Sequence, residues 1–291
     1  MVDQLVVRPP EASERDEFFQ VYCTGLPGVD EVSHDRFSKW WEEAIASGNM
    51  ERLWRVMVIK QEIVAVVINV VNQSLNWGLI WELAVVPELR SRGIGRRLVA
   101  ESERLLLKDT PRITHLALGV KTHNTRAAKL YEELGYGVRS LVINLRGRSW
   151  KPHERRVVDI RPANRAQIDG LARLQPDAYW NHRSIEMWSK AIRDESIMVV
   201  GENQEVIGFA SFILSSDETT TEIQFHILSG REELVLDAFA DQIKTENMEF
   251  WVQDNHQGVL DYLYHRGFRR VDSEYLMMKR ARTSQGCGSV K

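Results

Sequence analysis

The chain carries one structural plan twice, and a duplicated plan fixes the number and kind of folding units before any other feature does. Val6-Val7-Arg8-Pro9 is followed by a polar stretch and an amphipathic segment, Glu14 to Tyr22. Asp159-Ile160-Arg161-Pro162 is followed by a similar segment, Ala166 to Leu174. Each reads as a short strand, a Pro-bearing turn and a helix. Paired strands come next. Leu53 to Lys60 and Glu62 to Val71 flank a tight turn at Lys60-Gln61, and Ile197 to Val200 and Val206 to Leu214 flank Gly201 to Gln204. Both pairs predict β-hairpins. Later, Tyr131-Glu132-Glu133-Leu134-Gly135-Tyr136 is echoed by Leu263-Tyr264-His265-Arg266-Gly267-Phe268, each ending a helix on a glycine C-cap.

The offset between copies shrinks from the Arg-Pro turns to the helix-ending glycines, so the second copy is the more compact. The polar stretch Arg146 to Arg156, with Gly147 and Pro152, marks the boundary. The expected domains are residues 1–148 and 155–281, followed by a Gly/Ser-rich tail, 282–291, expected to be disordered. Within each copy the order is strand, helix, strands, helix, strand, helix, strand. That order predicts an α/β (α+β layer) fold with a mixed, mostly antiparallel sheet flanked by helices. The 291 residues suffice for two cores.

Composition removes several classes of function. Charged residues make up 27% and hydrophobic residues 43%, the balance of a globular chain. A net charge of -3 gives no electrostatic footprint for nucleic acid and no pull toward an anionic membrane. The longest apolar run, Ile63 to Ile68, is too short to span a bilayer. Two cysteines, Cys23 and Cys287, make no disulfide framework, and no Cys/His cluster has zinc-ligand spacing, so no metal is expected. The N-terminus shows no secretory pattern, and the expected compartment is the cytoplasm.

The informative segment runs from Trp81 to Leu98. Ile80 to Val86 is an apolar strand that Pro87 terminates. Arg90-Ser91-Arg92-Gly93-Ile94-Gly95 is a short glycine loop, and Arg96 to Lys108 reads as a helix with Leu98, Val99, Leu105 and Leu106 on its inner side. A strand, a glycine loop and a helix N-terminus make a phosphate cradle: glycines let the backbone approach, and the helix start adds unpaired N–H groups and partial positive charge. Arg90, Arg92, Arg96 and Arg97 add mobile positive charge. The bland alternative is that Gly93 and Gly95 only make a tight turn. A dinucleotide fold needs a third glycine where Leu98 stands, and no Gly-Lys-Ser/Thr follows for a Walker loop.

Leu116 to Val120 is a further strand, followed by a helical stretch from Asn124 to Leu134. Asn124, Ala127 and Tyr131 fall at i, i+3 and i+7 and share one helix face, which carries an amide, a small side chain and a phenol. The alternative for Tyr131 is a core aromatic at a helix end.

Arg90-x-x-Gly93-x-Gly95, followed at this distance by Asn124-x-x-Ala127-x-x-x-Tyr131, resembles the GNAT superfamily of acyl-CoA-dependent N-acyltransferases. The duplication resembles the tandem members of that superfamily, mycothiol synthase among them. The resemblance implies acetyl-CoA as cosubstrate. It implies that the pyrophosphate is bound by the main chain of Arg90, Ser91, Arg92, Gly93, Ile94, Gly95 and Arg96. It places Leu83, Ala84 and Val85 along the pantetheine on a strand that splays from its neighbour, Asn124 and Ala127 against the cofactor arm, and Tyr131 as the acid that protonates the departing thiolate. A phenol with pKa about 10 holds its proton at neutral pH, whereas the thiol of pKa about 8.5 can be discharged as thiolate and then protonated.

The attacking amine, with pKa near ~10, must lose a proton. Several relatives carry a glutamate five residues ahead of the Asn, where this chain has Gly119. Glu82 on the cofactor strand is the best candidate base, against the alternative of a salt-bridged strand carboxylate. His115 and His123 are weaker. The second copy lacks the cradle: Ser229-Gly230-Arg231-Glu232-Glu233 carries one glycine and two acids that repel a diphosphate. Asn255 precedes Tyr262 by the first-copy spacing, yet Gly267 comes one residue late. This copy is expected to be GNAT-like in shape, empty of CoA, and either a wall of the acceptor site or a stand-in for a dimer partner. The chain is therefore expected to be a monomer (a pseudo-dimer) or a homodimer.

The acceptor is expected to be a small-molecule amine rather than a protein α-amine or lysine, with specificity from Thr24 to Trp41. Within that stretch, Gly25 to Glu31 reads as a flexible acidic loop. Tryptophans 40, 41, 54, 77, 81, 180 and 188 serve either as core or as an acceptor wall. The reading from another class is a non-catalytic CoA-sensing or protein-binding module of GNAT shape.

Overall fold

The computed structural model describes residues 5–26, 32–73, 75–110, 112–152, 158–164, 166–167, 197–202, 205–215 and 217–281. Most of the expected acidic loop (27–31), residues 168–174 of the helix expected at 166–174, tryptophans 180 and 188, and the tail 282–291 lie outside the described residues. The chain forms two compact units. One holds residues up to Gly119, Arg126–Gly137 and the chain from Met277; the other holds Val120–Thr125 and Val138–Leu276. The linear copies 1–148 and 155–281 therefore follow the order of the chain, while each compact unit is assembled from more than one stretch of it.

In the first unit β1 (Val6–Arg8), β2 (Arg55–Ile59), β3 (Glu62–Asn72) and β4 (Trp77–Val85) pair antiparallel in sequence order, and β4 pairs parallel with β5 (His115–Lys121). The β2–β3 hairpin turns on Lys60 and Gln61 with φ of 50° and 70°. These are the two left-handed residues of a turn whose twist matches that of the strands it joins. On one face lie α1 (Arg15–Gly25) and α2 (His34–Ala46), whose inner side chains Phe18 and Trp41 meet Trp54 and both touch Phe37. Of the tryptophans expected as core or wall, Trp41 and Trp54 are core. Against β3 and β4 packs α4 (Ile94–Asp109), after the short α3 (Asn49–Leu53), with Leu98, Val99, Leu105 and Leu106 buried as the apolar spacing predicts. α5 (Thr125–Glu133) follows β5.

The second unit repeats the pairing. β7 (Asp159–Pro162), β8 (Ile197–Glu202), β9 (Glu205–Leu214) and β10 (Thr220–Ile227) pair antiparallel in order, and β10 pairs parallel with β11 (Asn247–Gln253). β11 pairs antiparallel with β6 (Gly137–Arg148). Helices α6 (Glu232–Gln242) and α7 (Gln257–His265) bury Val235, Leu236, Phe239, Val259 and Leu263 against Phe250 and Val252. The last strand, β12 (Arg269–Arg280), contributes residues up to Leu276 to this unit and its final turn of chain to the first. The mixed, mostly antiparallel architecture with flanking helices is as the sequence predicts. Among the described residues, no helix is long and apolar enough to cross a membrane, and no group of three His, Cys, Asp or Glu is placed to hold a metal.

Candidate active site

β4 is the strand on which the predicted residues converge. Its register against β3 slips between Ile68 and Asn69: Ile68 pairs with Glu82 and Asn69 with Ile80, so Trp81 is bulged. A bulge bends its strand and re-aims the side chains beside it. The parallel ladder to β5 ends at Ile80–Leu118, and residues 81–85 of β4 lie beyond the last pair. A strand that must offer its backbone to a ligand needs an edge beyond such a ladder, and Leu83, Ala84 and Val85, paired with β3 on their other side, lie past the last β5 pair.

α1 ends against the same stretch. Gly25 approaches so closely that a Cβ there would lie 2.6 Å from Ala84 Cβ and 3.0 Å from Val85 N. Arg90 ties the junction: its Nε donates to Val85 O at 3.2 Å and its Nη2 to Gly25 O at 3.1 Å. Its own N–H donates to Pro87 O at 3.3 Å. This corrects the sequence expectation for Arg90, which holds the loop in place instead of offering mobile charge. Arg96 is likewise held, by an ion pair to Glu133.

The cradle itself has the expected form. Ser91 and Gly93 take left-handed φ of 65° and 81°, and nothing lies within 4 Å of where a Gly93 side chain would start. Gly93 caps α4 with no side-chain hydrogen bond, and no acidic residue stands in the first turn. The helix begins at Ile94, two residues earlier than the sequence suggests, so Ile94, Gly95 and Arg96 present first-turn N–H groups. Gly95 adds an open approach, its nearest neighbour being Leu130 Cδ2 at 3.5 Å.

Glu82 and Tyr131, the expected base and acid, are close enough to feel each other. Tyr131 is 8% exposed, and burial first and the Glu82 charge second push its phenol up to about 12. Tyr131 also stacks edge-on with Tyr136 at 6.2 Å. The residue that sequence reasoning missed is Tyr22, on α1 and 1% exposed. Burial drives its phenol far above the ordinary range, and Glu82 adds to this through its charge and through a hydrogen bond to the Tyr22 hydroxyl. Ala127 is half-buried on α5 and Asn124 is exposed in the turn before it; His115 bonds its neighbour Thr114 and His123 is exposed.

The second unit departs at each of these points. Glu232 in the first turn of α6 accepts the N–H of Gly230 at 3.1 Å, so a carboxylate of the chain itself occupies the anion position. The helix ends settle the one-residue ambiguity. Tyr136 N–H donates to Tyr131 O, and Phe268 N–H donates to Leu263 O. Leu263, fully buried, is therefore the counterpart of Tyr131. Tyr262 donates its hydroxyl to Asp237 Oδ1 at 2.5 Å, and that oxygen also takes Trp150 Nε1 at 2.7 Å and Arg266 Nη2 at 3.2 Å. Burial, with Asp237 next, raises the Tyr262 phenol far above its ordinary range.

Residues 15–136 match the sequence profile of the Acetyltransferase (GNAT) family. The chain is similar over 96% of its length to 96% of a GCN5-related N-acetyltransferase from Sphaerobacter thermophilus, at 14% identity and a TM-score of 0.69. It is similar over 97% of its length to the whole of a tandem GNAT protein from the clavulanic acid biosynthesis pathway, at 12% identity and a TM-score of 0.64. A GCN5-related N-acetyltransferase from Kribbella flavida is covered over 71% by 96% of this chain, at 15% identity and a TM-score of 0.61. No curated protein matches the sequence.

Proposed function

We propose that the chain moves an acetyl group from acetyl-CoA to the amine of a small molecule by direct attack, a reading supported by the match of residues 15–136 to the Acetyltransferase (GNAT) family and by the likeness in fold to a tandem GNAT protein. The family's chemistry is acyl transfer from an acyl-CoA to an acceptor; the acetyl group, the amine and the size of the acceptor are the finer reading. One observation carries it: the unladdered end of β4, the open start of α4 and the Glu82–Tyr131 pair belong to one compact unit.

In this scheme the first-turn N–H groups of α4 hold the diphosphate, and the backbone of Leu83 to Val85 lies along the pantetheine, with an N–H near Val85 polarising the thioester carbonyl. Glu82 takes the amine proton. Tyr131, still protonated far into alkaline pH, donates to the sulfur as it leaves. The small-molecule acceptor is preferred because no acidic trough for a basic peptide can be read from the sequence, and the proposed compartment is the cytoplasm. Calorimetry with CoA and acetyl-CoA, followed by thiol release against a panel of amines, tests the reading. No heat with either ligand on folded protein overturns it.

A further inference from the structure

The acetyltransferase reading assigns a base and an acid but leaves Tyr22 without a role, and any role for Tyr22 in catalysis rests on that reading. α1 is fixed over the bulged end of β4: Gly25 touches Ala84, Arg90 clamps Gly25 to Val85, and one helical turn earlier the Tyr22 hydroxyl meets Glu82. Glu82 and Ala84 alternate onto the same face of β4, which is the face α1 covers. The Tyr22 ring packs between Phe37 at 5.6 Å and Phe19 at 6.4 Å. We propose that Tyr22 is a positioning residue that aims the Glu82 carboxylate within the proton circuit of Glu82 and Tyr131.

The chemistry balances without a further reactant. The amine lone pair forms the N–C bond, the carbonyl π pair moves to oxygen, and Glu82 takes the amine proton. The oxyanion then re-forms the carbonyl and breaks the C–S bond. Sulfur leaves with the bonding pair and takes the Tyr131 proton. A neutral Glu82 now faces a Tyr131 phenolate, and passing the proton between them restores both. The proton lost by the amine ends on the thiol.

The order of events is set by charge. While Glu82 is ionised, its charge makes Tyr131 a reluctant acid, which keeps the phenol from ionising early. Once Glu82 has been protonated that charge is gone, and Tyr131 becomes a better donor at the step where the sulfur needs one. A hydrogen bond from Tyr22 stabilises the ionised form of Glu82 and so keeps the base ready. Cys23 on α1 and Arg36 on α2 also bear on Tyr22, and Tyr136, itself facing the charge of Glu103 on α4, bears on Tyr131.

The test is the pH profile of kcat/KM. Tyr22→Phe removes the donor and keeps the ring, so the acid limb is expected to move up by about one pH unit, with CoA affinity unchanged. Replacing Tyr22 by 3-fluorotyrosine keeps the shape and strengthens the donor, so the acid limb is expected to move down. Opposite movements are a signature that a packing role does not give. If both variants leave the acid limb in place, or scale the rate equally at every pH, the circuit is wrong. Should Tyr22→Phe fail to fold, the fluorotyrosine protein decides alone. Native protein that neither binds CoA nor turns over removes the acetyltransferase reading and this inference together; native turnover with unmoved limbs removes only the inference.

Discussion

Replacing Gly25 by alanine puts one methyl into the contact between α1 and β4. The added Cβ would lie 2.6 Å from Ala84 Cβ and 3.0 Å from Val85 N. Carbon atoms settle at roughly 3.5–4.0 Å, so the helix end and the strand must part by about 1 Å. Alanine in a helix is by itself favourable by about 1 kcal/mol relative to glycine. Overpacking of this kind costs ~1–3 kcal/mol. The net is a loss between about zero and 2 kcal/mol, a fall in melting temperature of only a few degrees. The functional effect is expected to be much larger. The displaced backbone is Ala84–Val85, and Arg90 would lose the geometry with which it spans Gly25 O and Val85 O. A shift of about 1 Å in a positioned reactant can cost on the order of 100-fold in rate. The assay is a thermal melt beside steady-state kinetics on the same preparation. A Gly25→Ala protein that melts within a few degrees of the native one and keeps kcat/KM within about twofold would refute the reasoning, because the close approach would then position nothing.

Three further outcomes are expected. Tyr131→Phe is expected to lower kcat by about 100-fold or more while leaving CoA affinity in calorimetry unchanged. Because the Tyr131 phenol is pushed up to about 12, the acid form persists to high pH, and no loss of kcat from its ionisation is expected up to about pH 10; an alkaline limb near neutrality that Tyr131→Phe abolishes would contradict this. Titration with CoA is expected to give one site per chain, since Glu232 fills the anion position of the second unit and Leu263 stands in place of Tyr131. Two equal sites would mean the second unit retains the binding function.

The features legible in the sequence are local ones. The Lys60-Gln61 hairpin, the Gly93 loop and the amphipathic α4 each follow from a few neighbouring residues, and Glu82 stands out as a carboxylate in an otherwise apolar strand. Tyr22 does not stand out, because beside Phe18, Val21 and Gly25 it reads as one more buried aromatic on a helix face. Its partner Glu82 lies beside the bulge at Trp81, and a bulge is a matter of register between strands. The mismatch at Tyr262 has the same origin. Counting from Asn255 selects Tyr262, whereas the hydrogen bonds that end the helix select Leu263. Arg90 reads as a phosphate ligand from its motif, and its engagement by two carbonyls depends on α1, which is far away in the chain.

Residues 277–281 belong to the first unit. Ala281 N–H donates to Thr114 O at 2.9 Å, and Lys279 Nζ bonds both oxygens of Glu103 at 2.9 Å on the buried side of α4. A segment made last thus finishes a body begun first. During synthesis the candidate cofactor domain waits, incomplete, while the whole second copy emerges from the ribosome, and its closure reports that translation has run through residue 281. A nonsense mutation anywhere in the second copy therefore also leaves the first unit without residues 277–281.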